Sequence, residues 1–154
     1  MEAGDETMRV QGTIEINAPP EKIWPYLIEP EKTKQWFTNI EEFKYKDEKT
    51  KGLGTNFYWR ERSGNRVFNL NFETTEWKEN QVFGFKMTSG DFFTSYTERW
   101  VIEPTSSGCK FSFNDHIEFP WGPLGKIIGA FAKKRSAEDG DKILTNLKKL
   151  VEKK

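Results

Sequence analysis

The sequence predicts an α+β fold: one strand, two short helices, six antiparallel strands and a long C-terminal helix. Three observations carry that prediction. Residues 40–119 form a nearly continuous series of aromatic-rich, alternating segments separated by short turn sequences, which is the pattern of an antiparallel sheet. The apolar residues from Leu124 to Val151 fall near helical spacing, with lysines on the other side. The chain is 15% aromatic, with 13 Phe and 6 Trp, yet only 35% hydrophobic and 31% charged, so its core has to be made largely of rings.

The first strand is "RVQGTIEIN" (9–17), in which Val10, Gly12, Ile14 and Ile16 alternate with polar residues. Asn17 and the "APP" that follows mark a helix start, because proline is tolerated in the first turn, where the amide has no partner. Pro25 then predicts a break or kink after Trp24, and two short helices, about 20–28 and 31–37, in place of one long one. The strands "IEEFKYK" (40–46), "GTNFYWRER" (54–62), "NRVFNLNFETTEW" (65–77), "QVFGFKMTS" (81–89), "FTSYTERWVIE" (93–103) and "CKFSFNDHIEF" (109–119) follow. The turns "KGLG", "SGN", "KEN", "SGD" and "PTSSG" separate them, and such short connections favour antiparallel neighbours.

The last helix carries Leu124, Ile127, Ile128, Phe131, Ala137, Leu144, Leu147 and Val151 on one face, but the middle of that face is short of bulk at Ala130, Ala137 and Gly140. Its early turns also hold Gly125 and Gly129, each costing about 1 kcal/mol relative to Ala in a helix interior. A length of 154 residues suits a single domain, expected over 8–154, with the acidic residues 1–7 as a flexible extension.

This order of elements resembles the helix-grip fold of the START-like superfamily, also called SRPBCC or the polyketide cyclase/dehydrase and lipid-transport family. The stretch "IEINAPPEKIWPYLIEPEKTKQWF" is similar to the family's opening, I-x-I-x-A-P-x-E-x-V-W-x-x-L-x-D-P-x-x-x-x-x-W. The likeness continues in "KGLGT", "YTERWVIEPTSSGCKFSF", "GPLGKIIG" and "ILTNLKKLVE", and spans nearly the whole chain after Met8. Glu29 stands where the family usually has Asp before Pro30, and Pro25 interrupts the first helix. The Trp36–Phe37 pair resembles the branch related to the Hsp90 activator, whereas the tail is more similar to the polyketide cyclase branch. The resemblance implies a curved seven-stranded sheet wrapped around the terminal helix, with a cavity between them for a hydrophobic small molecule or lipid. On that reading the small residues of the helix leave room for a ligand, and Gly125 and Gly129 let its first turns shift to open an entrance.

Alternation assigns the walls of such a cavity. Phe57, Trp59, Phe68, Leu70, Phe72, Phe83, Phe85, Met87, Tyr96, Glu98, Trp100, Ile102, Phe111, Phe113, Asp115 and Ile117 fall on the concave side, facing Ile127, Ala130, Phe131 and Ala137 of the helix. Core packing is the default role of the rings. Glu98 and Asp115 are exceptions, because a carboxylate among apolar neighbours costs several kcal/mol unless paired, hydrated or protonated. Either Arg60 or Arg62 reaches them, or the pocket holds water, or they sit near its open end.

Other chemistry finds less support. The 24 Lys/Arg balance the 24 Asp/Glu, and Glu61, Glu73 and Glu76 interleave with Arg60, Arg62 and Arg66, so no uncompensated basic track exists for nucleic acid. Charges interrupt every apolar stretch well short of the roughly 20 residues a spanning helix needs. With one cysteine, Cys109, and one histidine, His116, neither a zinc cluster nor a Ser/Cys–His pair is spelled out, and "GLG" at 52–54 reads as a turn. No metal or cofactor is expected, and a cytoplasmic location is. From Trp121 to Lys154, nine Lys/Arg stand against four Asp/Glu, a basic helix face. Three functions follow: binding or transport of an apolar, ring-containing molecule; a cyclase, dehydratase or hydrolase using Glu98 or Asp115 as general acid/base with Tyr96 as donor; or a co-chaperone-like module whose basic helix meets an acidic protein partner.

Overall fold

A computed structural model describes residues 5–120 and 122–153, with side chains at 7–120, 122 and 138–153. The sequence-assigned helix positions Ile127, Ala130, Phe131 and Ala137, and the glycines at 125 and 129, lie outside the residues whose side chains are described.

The seven strands alternate in burial as the sequence does. They are β1 (Asp5–Ile16), β2 (Ile40–Tyr45), β3 (Asn56–Ser63), β4 (Arg66–Lys78), β5 (Val82–Gly90), β6 (Ser95–Pro104) and β7 (Cys109–Pro120). Two helices, α1 (Pro20–Ile28) and α2 (Pro30–Trp36), join β1 to β2, and α3 (Pro123–Glu152) follows β7. All strands join one antiparallel sheet in the order β1-β7-β6-β5-β4-β3-β2, a meander from β2 to β7 onto which β1 docks. The concave face of this curved sheet closes on α3, which packs against β1, β3, β7 and α2. The α+β helix-grip architecture expected from the sequence is the one observed.

Two local expectations change. The strand β1 starts at Asp5, with Asp5, Glu6 and Thr7 in register with Pro120, Phe119 and Glu118, so pairing reaches into the segment set aside as an extension. The two helices have nearly the expected bounds, 20–28 and 30–36 against 20–28 and 31–37, but α1 runs on past Trp24 and Pro25 and the break is set at Glu29. Pro25 sits inside α1, whereas Glu29, which precedes Pro30, takes φ −96° and ψ 115°. Steric conflict between a proline ring and the preceding residue excludes the helical conformation there.

The end of α1 is held by borrowed donors. Its last carbonyls have no helical partner, and Thr33 Oγ1 donates to Tyr26 O at 2.9 Å, Trp36 Nε1 to the same oxygen at 2.7 Å, and Tyr45 Oη to Ile28 O at 2.7 Å. Those bonds seat Trp36, fully buried, against Trp100 at 5.2 Å and Phe111 at 5.7 Å between ring centres. Beyond it the rings of Phe57, Trp59, Phe72, Phe83, Phe85 and Trp100 interlock in tilted, stacked and edge-to-face pairs at 4.6–6.5 Å with no more than 1% exposure each. This block fills its own volume, as a close-packed interior does.

The other end of α3 is tied to β1. Ile143, Leu144, Leu147 and Val151 are buried, Lys148 Nζ donates to Glu15 O at 2.8 Å, and Asn17 N donates to Glu152 Oε2 at 2.7 Å. Near the middle, Gly12 and Gly140 face Phe113 from opposite sides. A Cβ at Gly12 would stand 2.7 Å from Phe113 Cε1, and one at Gly140 would stand 3.2 Å from Phe113 Cζ. Helix and strand close on one ring here; a side chain at Gly12 would force that ring to move, whereas one at Gly140 asks it to give by only a few tenths of an ångström.

Candidate functional site

The parity of β3 turns Phe57, Trp59 and Glu61 inward and Arg60 and Arg62 outward. The two arginines pair across the β2–β3 surface, Arg60 with Glu41 and Glu42 at 3.2 and 3.1 Å and Arg62 with Glu41 at 2.7 Å. Neither is therefore the cation that the sequence offered as a partner for the concave carboxylates. On β6, Tyr96, Glu98 and Trp100 point inward; on β7, Phe113, Asp115 and Ile117 do, with Glu98 directly opposite Asp115.

The result is a cluster of three carboxyl groups, from Glu61, Glu98 and Asp115, around the Tyr96 hydroxyl. Tyr96 Oη lies 3.3 Å from Glu61 Oε1 and 3.2 Å from Glu98 Oε1. The Trp100 indole N–H donates to Glu98 Oε2, and Asp115 stands directly across from Glu98 on the neighbouring strand. A phenol carries one proton, so its two carboxyl neighbours compete for a single donor. Burial, opposed by bonds from Tyr96 and the nearby Trp59 indole, pushes Glu61 up to about 7. The Trp59 N–H nevertheless makes no full hydrogen bond. Burial and then the charge of Glu61 raise Glu98; burial and then the charges of Glu98 and Glu61 raise Asp115. Burial and the same carboxylates hold the Tyr96 phenol well above its usual range.

Glu98 is 2% exposed and Asp115 8%, yet Asp115 Oδ1 has no partner. Asp115 lines a cavity of about 40 Å³ together with Glu61, Tyr96, Phe113, Ile117, Val10, Phe37, Asn39, Ser63, Asp139, Gly140 and Ile143. At 10–15 Å³ per water by this measure, it holds about three waters or one small head group. It is not a sealed void. Asn39 and Asp139, bonded to each other at 3.0 Å, also border an open cleft of about 220 Å³, and Val10, Phe113 and Gly140 border another of about 320 Å³ along β1.

Of the sequence-assigned wall, Tyr96, Phe113 and Asp115 meet at this cavity, and Glu98 stands behind them. Phe57, Trp59, Leu70, Phe72, Phe83, Phe85, Trp100 and Phe111 lie in the solid aromatic block, Phe68 packs on Phe93 at 4.9 Å, and Met87 is half-buried. Glu61 belongs to the site without having been assigned to it, and its signal is the parity shared with Phe57 and Trp59. His116 lies on the convex side, 3.8 Å from Glu118, and Cys109 is buried at the start of β7. Among the described residues no group of His, Cys, Asp and Glu is arranged to hold a metal ion, and no helix is long and apolar enough to cross a membrane.

A sequence model of the family "Polyketide cyclase / dehydrase and lipid transport" matches residues 7–152. The chain belongs to that family. Solved structures share the fold of this family member at low identity. The protein TTHA0849 from Thermus thermophilus is 21% identical with a TM-score of 0.76, over 95% of this chain and 97% of that one. A START superfamily protein from Mycobacterium smegmatis is 19% identical with a TM-score of 0.73, covering 97% and 98%. The Zhui aromatase/cyclase from Streptomyces sp. R1128 is 13% identical with a TM-score of 0.68, covering 96% and 95%. No curated protein matches the chain. Family and fold together are consistent with ligand binding or polyketide cyclase-type chemistry in this family member.

Proposed function

We propose that the protein binds an apolar, ring-containing small molecule between the sheet and α3, with the polar end of that molecule at Glu61, Tyr96 and Asp115. The observation that carries this reading is the unpartnered Asp115 oxygen, buried and facing a cavity. A buried polar atom left without a partner costs about 1–3 kcal/mol, a cost that a bound ligand group removes. The aromatic block leaves no room for a ring, so the body of the molecule lies toward the open clefts beside α3 and only its head enters the cavity. The test is native mass spectrometry of the purified full chain, followed by denaturing extraction and titration with Nile red as a neutral probe. A co-purified small molecule or saturable probe uptake is the expected result; an empty protein that takes up no probe overturns the reading and favours the module whose basic helix meets an acidic protein.

A second reading, acid/base catalysis of the cyclase or dehydratase kind, is favoured by one observation. Glu61 at about 7, with Glu98 and Asp115 also raised, holds protons where they can be given up near neutral pH. In that case Glu98→Gln retains binding of the extracted molecule and abolishes its turnover.

A further inference from the structure

Resting on the binding reading above, we propose that the polar end of the ligand is a cation, a protonated amine whose N–H groups are accepted by Asp115 and Glu61. The argument starts from a mismatch of donors and acceptors. Glu61 and Asp115 line one cavity with Glu98 behind Tyr96, and the donors seen to reach Glu61 and Glu98 are a single phenol and the Trp100 indole. Asp115 Oδ1 is left over entirely, although the residue is 8% exposed. An ammonium group brings three donors and one positive charge, which is what this set lacks.

Charge gives the same answer among the described residues. The titratable groups lining the cavity are Glu61 from β3, Tyr96 from β6, Asp115 from β7 and Asp139 from α3, with Glu98 bonded behind Tyr96. Among the described residues no Lys, Arg or His lines it. Arg62 and Lys142 border the cleft beyond Asp139, and Arg9 borders the one along β1. Without a cation the cluster avoids its own repulsion by keeping protons, as the raised affinities of Glu61, Glu98 and Asp115 indicate. A bound ammonium takes the place of those protons. Size and surroundings agree, since the cavity accommodates a head group of a few atoms and is walled by Phe37, Tyr96 and Phe113, whose faces favour a cation over a neutral group.

The experiment is calorimetric titration of the full chain at pH 7 with tryptamine and with tryptophol, which share ring and linker and differ as ammonium against hydroxyl. Tryptamine is expected to bind at least about tenfold more tightly, a difference of about 1.4 kcal/mol. Its binding enthalpy is expected to vary with the ionisation enthalpy of the buffer, corresponding to release of about one proton. Asp115→Asn, which keeps the shape and removes the charge, is expected to abolish the preference while tryptophol binding stays. Equal or tighter binding of tryptophol overturns the cation assignment and leaves the pocket intact. A tryptamine preference that survives in Asp115→Asn and Glu61→Gln places the amine elsewhere and also overturns it. Binding of neither probe overturns the pocket reading together with the inference.

Discussion

Replacing Glu61 with Gln tests the state of the carboxyl cluster without any ligand. In the folded chain Glu61 keeps its proton to about pH 7, against an ordinary value of 4.5. Each decade of that difference corresponds to about 1.4 kcal/mol, and the half-buried position of Glu61 allows some solvent screening, so the charged form costs the folded state roughly 2–3 kcal/mol. The sign follows from proton counting. Between pH 4.5 and about 7 the folded chain binds a proton that the unfolded chain has already released, so stability falls as pH rises through that window and levels off above it. The glutamine of the Glu61→Gln variant has no proton to lose, and its amide oxygen still accepts from Tyr96. Urea unfolding of both proteins across pH 4.5 to 8.5 should therefore give a stability difference in favour of the variant that grows by roughly 2–3 kcal/mol and then flattens. Because the charge of Glu61 also raises Glu98 and Asp115, its removal adds to the gain at the upper end. A difference that is flat with pH, or that grows toward acid, refutes a cluster that folds in its protonated form.

Two further substitutions follow from the packing. Gly140→Leu places a branched side chain against Phe113 and into the cavity; Nile red binding is expected to weaken at least about tenfold, while circular dichroism shows the fold retained at a cost under about 3 kcal/mol. Thr33→Val removes the one hydroxyl proton that Tyr26 O, Leu27 O and Glu29 O share at 2.9–3.2 Å; a loss of about 1–3 kcal/mol by denaturant unfolding is expected.

Strand existence and order are legible because alternation survives in almost every segment. The period that places Phe57 and Trp59 inward also places Glu61 inward two residues later, so an acid in phase with core rings is a readable signal of the site. The Glu98–Asp115 pairing is legible only in part. Parity puts each on the concave face, but their juxtaposition depends on the register of β6 against β7, which the turn sequence alone does not set. The register shifts of β4 against β5 at Asn71/Phe72 and Thr74/Glu76 are likewise invisible in a period-two pattern. The size of the cavity is the least legible feature, since the same rings can line a space or fill it, and ring-to-ring packing decides which.

The place of β1 in the sheet also constrains how the molecule comes together. Strands β2 to β7 are joined by short turns and can pair as each is made, but β1 finds its partner only in β7, with Thr13 bonded to Phe111 98 positions along the chain. Until that long loop closes, the inner face of β7 lacks both β1 and the helix that β1 anchors through Glu15 and Asn17. Closure of β1 and α3 over the meander is thus a late, non-local step that sets a slow folding rate for the domain. During synthesis, the part of the concave face that α3 covers stays open to water until that helix has emerged, and exposed apolar surface of this kind favours self-association.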